Sequence, residues 1–218
     1  MFTDSMTADE IIREFDKDFP DIFSVSDKKQ GKVDRMVRKS RQFPVYAYAC
    51  VNSGRNNPWL VLWECKSKKM VGDDCLMSLI AIPELSPGRH AIMMVNAGGN
   101  PIYMMLVPHF FNRYAQRAGV HKTGDGLIRH FFRNNMTYSF ASKNEKAGNM
   151  VREDVFVTCD EGIAMGVRVV CDKTFLLLKT FITHGMSKGE QIGRFAGMEQ
   201  VRKEIHDGQM KEIMERLK

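Results

Sequence analysis

Apolar and polar positions recur with two different periods along the chain, and the switches between them mark out the elements. Ile11, Ile12, Phe15 and Phe19 follow helical spacing behind Thr7 and Glu10, which match a capping box. Pro20 is expected to stop that helix, because its ring removes a backbone donor and crowds the preceding turn. A second helix is predicted over about 26–41, with Val33, Met36 and Val37 turned inward. The pattern then shortens to strands at 45–51, 59–64 and 75–83, with a turn-rich loop at 52–58 and a polar connection at 66–74. A hairpin follows, with strands at 90–95 and 102–107 around Ala97-Gly98-Gly99-Asn100.

Helical spacing returns at 108–117, with Pro108 in the first turn and Gly119 as the stop, and again at 124–133. Three strands are predicted next, at 153–158, 163–171 and 174–183, joined by turns at 159–162 and 172–173. The last is apolar on both faces and so suits a central place in a sheet. Ser187 and Glu190 repeat the capping-box pattern ahead of a helical region at 188–217 with breaks near Gly197 and Gly208. Val201, Ile205, Ile213 and Leu217 recur at multiples of four, and the amphipathic stretch 198–217 is a candidate surface for a partner or a second copy. One α+β domain with a mainly antiparallel sheet is the economical reading, divisible at most into 1–86, 87–186 and 187–218.

Charge adds something the pattern does not. The 218 residues carry a formal net charge of +6, but unevenly. Residues 26–42 hold seven basic side chains against two acidic ones, and 109–133 hold five against one, so the remainder is net negative. Lys28, Lys29, Lys32, Arg35, Arg38 and Lys39 in the first patch, with Arg129 and Arg133 in the second, are candidate contacts for RNA or another polyanion. The plainer alternative is two solvated helix faces. Five cysteines, odd in number and without a C-x-x-C pair, read as free and mostly buried thiols in a reducing compartment. With no signal-like N-terminus and no apolar run long enough for a bilayer, a cytoplasmic location without membrane contact is expected.

Phosphate-loop, dinucleotide, zinc-protease and serine-hydrolase signatures are absent, and the histidines lack ligand-like spacing, so neither a cofactor nor a metal is expected. The densest constellation is His109, Arg113 and Arg117, spaced i, i+4, i+8. They form one helical stripe at a helix start, where guanidinium forks suit phosphate, unless His109 only caps and the arginines only pair. A two-residue turn at 172–173 sets Arg168 opposite Leu177 and Gly166 opposite Lys179. Arg168 and Lys179 then share a face with Phe175 and Phe181, although Glu153 also falls opposite Arg168 and offers a plain ion pair. His184, after the last strand, is a further acid–base candidate.

Strand 102–107, the helices 109–117 and 124–133, and the three antiparallel strands resemble the RelE-like toxin ribonucleases. The narrower likeness is to families marked by H-A-x-x-R-x-x-x-R. The matching residues over about 100–184 are His109, Arg113, Arg117, Ile128 and the strand ending Lys179-Thr-Phe-Ile-Thr183, with Phe110 where the family has alanine. The resemblance implies metal-free RNA cleavage with the 2′-hydroxyl as nucleophile. His109, His184 and Lys179 would be catalytic candidates, and Arg113, Arg117 and Arg168 would hold the phosphate. The functional expectation is therefore a nucleic-acid-binding protein with ribonuclease chemistry; the alternative is a non-catalytic binding or protein-interaction module.

Overall fold

In a computed structural model, which describes residues 1–97, 99–147 and 150–217, a nine-stranded sheet carries helices on both faces. The chain runs through α1 (Ala8–Lys39), β1 (Val45–Asn52), β2 (Pro58–Cys65), β3 (Leu76–Ala81), the short pair β4 (Glu84–Leu85) and β5 (Gly88–Arg89), β6 (Ala91–Ala97) and β7 (Asn100–Leu106). It continues through α2 (Pro108–Ala118), α3 (Gly124–Asn134), β8 (Ser139–Ala147), β9 (Met150–Cys159), β10 (Gly162–Val169), β11 (Thr174–Thr183) and α4 (Glu190–Arg216). The sheet order is β1-β2-β3-β6-β7-β11-β10-β9-β8. Two antiparallel meanders meet at one parallel pair, β7 with β11, so the apolar strand β11 lies inside the sheet as its sequence predicts.

Strand alternation splits the core in two. Leu60 and Leu62 of β2 face α2 and α3, while Trp59, Val61 and Trp63 face α1. Phe110, Phe131, Phe181 and Tyr114 stack edge-on between α2, α3 and β11, with centroids 5.0 to 6.2 Å apart. Such pairs contribute about 0.5–1.5 kcal/mol each beyond burial.

The capping box at Thr7 and Glu10 forms, but Pro20 does not end the helix: α1 runs through it to Lys39. Interior proline costs about 3 kcal/mol. Phe15, Ile22, Val33 and Val37 lie on both sides of it, fully or nearly fully buried, and each contributes about 1.5–3 kcal/mol of burial. Breaking the helix would forfeit more than the proline costs. The second capping box does not form; Gly189 is the N-cap of α4 and makes no side-chain bond. The expected breaks at Gly197 and Gly208 are absent too. A four-residue spacing drifts about 40° per step, so the stripe on α4 winds round: Val201 and Ile205 are about half exposed, while Ile213 and Leu217 pack on the core.

Two further expectations change, and one strand is added. Residues 139–147, which have no apolar alternation, form the outer strand β8. Cys65 and Cys75 form a disulfide. They flank the paired ends of β2 and β3, which brings their Cα atoms to 5.0 Å, a closeness that chain spacing does not reveal. Cys50, Cys159 and Cys171 are free, and Cys50 is exposed. Finally, the β10–β11 register is Arg168↔Leu176 and Gly166↔Leu178, one residue from expectation, and it shifts again between Met165 and Gly166. Lys179 is the unpaired residue there. The shift inverts the parity of the strand, so Phe175 joins the α1-side core while Phe181 joins the opposite one. No helix among the described residues is long and apolar enough to cross a membrane.

Candidate nucleic-acid interface

The two basic stretches meet at the edge strand β1. Val45, Ala47, Ala49 and Val51 pack toward α1, which turns Tyr46 and Tyr48 to the face that carries α3. There the guanidinium carbon of Arg129 lies 4.1 Å from the Tyr48 ring centroid, and that of Arg133 lies 4.6 Å from Tyr46. The match follows from geometry. Four helical residues rise about 6 Å and two strand residues about 6.7 Å, so an i, i+4 pair of arginines lands on an i, i+2 pair of tyrosines. Lys29 and Lys32 of α1 border a groove of about 240 Å³ that also touches Tyr46, Tyr48 and Trp63.

These charges are unspent. Among the described residues, Lys28, Lys29, Lys32, Arg35, Arg38, Lys39, Arg129 and Arg133 enter no ion pair. Arg55, Arg89, Arg168, Lys173 and Arg202 are each held by carboxylates. Tyr48 is 55% exposed, so its ring is accessible to a ligand beside Arg129.

Tyr46 also opens onto a second, polar cavity of about 340 Å³, lined by Glu64, Lys66, Arg133, Glu161 and His206 among others. The Tyr46 phenol donates to Glu64 Oε1 at 3.1 Å. Burial, then the Glu64 carboxylate, pushes that phenol up to about 12, so it remains a donor at neutral pH. Lys66 Nζ is in direct contact with His206 Nε2 and lies 3.9 Å from Glu64. Glu161 is turned inward, accepting from Tyr114, Asn134 and Asn135, and so ties the β9–β10 turn to the end of α3.

His130 joins that tie through the Tyr114 hydroxyl at 3.0 Å. Burial, with the Lys122 charge nearby, holds its imidazole below the usual histidine value, and burial does the same to His90. The fold therefore keeps both neutral to a lower pH than the unfolded chain, which takes up protons below about 6.5. Stability is full above that pH and is lost as pH falls through it. The midpoint of thermal unfolding is expected to be lower at pH 5.5 than at pH 7.5, by less in a His90→Gln, His130→Gln variant; an equal drop in both proteins would refute this.

The remaining sequence candidates are distributed as follows. Arg113 Nε donates to His109 Nε2 at 3.3 Å and its Nη1 to Gln116 at 3.1 Å, on the outer side of α2. Arg117 instead donates to the Phe181 carbonyl and pins α2 to β11. His184 Nε2 donates to the Cys159 carbonyl at 3.1 Å, near Glu199 of α4. Arg168 takes the plainer alternative, an ion pair with Glu153 at 3.5 Å, and Lys179 stands exposed at the register shift. Among the described residues no hydrogen bond or ion pair joins His109 or Arg113 to His184, Lys179 or Arg168.

No protein-family model, curated protein or solved structure matches this chain. What the surface can do is therefore read from its own side chains. Tyr46, Tyr48, Glu64, Lys66, Glu161 and His206 take part without belonging to any sequence motif. For the tyrosines a signal existed, two aromatic residues on alternate positions of a strand whose other face is small and apolar. For Lys66 and His206, 140 residues apart, none did.

Proposed function

We propose that this protein binds single-stranded nucleic acid, RNA foremost, along the edge of β1 between α1 and α3. The observation that carries the reading is the convergence of four unpaired cations, Lys29, Lys32, Arg129 and Arg133, on the two tyrosines of one edge strand. Cations follow a phosphate backbone, and aromatic rings and stacked guanidiniums accept bases whatever their sequence. Each base stacked in this way contributes about 1–3 kcal/mol. The other unpaired cations of α1 extend the same field along the helix and favour encounter with a polyanion.

The reading is tested by fluorescence anisotropy of a labelled oligoribonucleotide across a salt series. Each phosphate neutralised on a single strand contributes about −0.7 to the slope of log affinity against log salt. Four contacts give a slope of about −3. No binding, or an affinity indifferent to salt, would sink the reading. Equal affinity for an acidic polypeptide of the same charge density would point to a protein partner instead, since such a chain has no bases to stack.

A further inference from the structure

We propose that the polar cavity beside Tyr46 is a phosphodiester cleavage centre in which His206 and Lys66 move the protons and Arg133 holds the phosphate; this rests on nucleic acid lying along β1. Arg133 belongs to both places. Its guanidinium lies over the Tyr46 ring and lines the cavity, so a strand bound at Tyr46 brings its next phosphate to the cavity mouth. Each carboxylate around the cavity is already turned onto a donor of the protein. Glu64 faces Tyr46 and Lys66, Asp160 faces Arg202 at 2.7 Å, and Glu161 faces Tyr114 and two asparagine amides. Arg133 enters no ion pair among the described residues and is left to meet an anion, with Lys66 beside it, shared between Glu64 and His206.

The pair is set for proton transfer. His206 Nδ1 lies 3.3 Å from Asp207 Oδ1, which favours the proton on that nitrogen and leaves the Nε2 lone pair facing Lys66. With RNA in place, the Lys66 ammonium turns from His206 to the 5′-oxygen; the freed His206 Nε2 removes the 2′-hydroxyl proton and the 2′-oxygen attacks phosphorus. The bond from phosphorus to the 5′-oxygen breaks, and that oxygen takes a proton from the Lys66 ammonium. A 2′,3′-cyclic phosphate and a 5′-hydroxyl leave. The imidazolium then returns its proton to the Lys66 amine across their direct contact, so the site is reset without any other reactant. Arg133 meets the charge on the non-bridging oxygens.

The experiment follows a 5′-labelled oligoribonucleotide in the presence of chelator, with products identified by mass and binding measured in parallel. Wild type is expected to release 2′,3′-cyclic phosphate ends and to spare a strand carrying 2′-deoxyribose throughout. His206→Gln and Lys66→Met are each expected to slow cleavage at least about 100-fold, the range of general acid–base catalysis, while binding at 0.1 M salt changes by no more than about fivefold, the share of one phosphate contact, because the stacking platform is untouched. His109→Ala, His184→Ala is expected to cleave as wild type does. If that variant is dead while His206→Gln is active, the centre lies on α2 and this proposal is wrong. If wild type binds RNA but leaves it intact, cleavage fails and the binding reading stands. If it does not bind, both fall.

Discussion

Neutralising Lys29, Lys32, Arg129 and Arg133 together to alanine weakens oligoribonucleotide binding by about 10²–10³-fold at 0.1 M salt, and by little near 1 M. The size follows from counterion release: four contacts worth about −0.7 each in slope amount to nearly three decades of affinity over one decade of salt. The variant's own slope is expected to fall close to zero. Tyr48→Ala behaves differently. It removes a stacking surface worth about 1–3 kcal/mol, so its loss of affinity is the same at both salt concentrations. Lys173→Ala serves as the comparison, because Lys173 already lies 2.6 Å from Asp16 and has no charge to spare. Should Arg113→Ala, Arg117→Ala abolish binding while the groove variant retains it, the interface belongs on the outer side of α2.

The elements that could be read from the chain are those whose cause is local. The capping box at Thr7, the left-handed stop at Gly119 (φ 66°) and the apolar strand 174–183 each depend on residues a few positions apart. The features that the chain does not reveal depend on distant partners. Pro20 looks like a stop until one sees that Phe15 and Ile22 are both held by the sheet. The strand 139–147 has no apolar pattern because an edge strand with charged residues needs none. The same holds for function. The basic patches at 26–42 and 109–133 were visible as composition, but only the placement of α1 and α3 on opposite sides of β1 brings their charges to one place. Spacing alone sets His109 and Arg113 apart in the sequence, and the fold joins them mainly to each other.

Gly166→Ala is expected to be the most damaging single-methyl change in the sheet. A Cβ at this position would lie 1.9 Å from the Leu177 carbonyl oxygen and 2.8 Å from the Leu178 Cα. These are backbone atoms of the neighbouring strand, so no side-chain rotation relieves them; the strands must part. Gly166 also sits where the β10–β11 register shifts, and the shift sends Phe175 and Phe181 to opposite cores. Restoring regular pairing there would turn one of these rings out of its core, and losing a buried phenylalanine costs about 3–5 kcal/mol. The fold therefore cannot escape the clash by slipping one residue. A loss of about 3 kcal/mol, the upper end for overpacking, is expected in urea unfolding. Gly31→Ala provides the opposite case: Gly31 lies within α1 with nothing within 4 Å of the added carbon, and there alanine is expected to stabilise by about 0.5–1 kcal/mol. If Gly166→Ala unfolds at the wild-type denaturant concentration, the tight approach of β10 to β11 is not part of the native sheet, and the unpaired position of Lys179 falls with it.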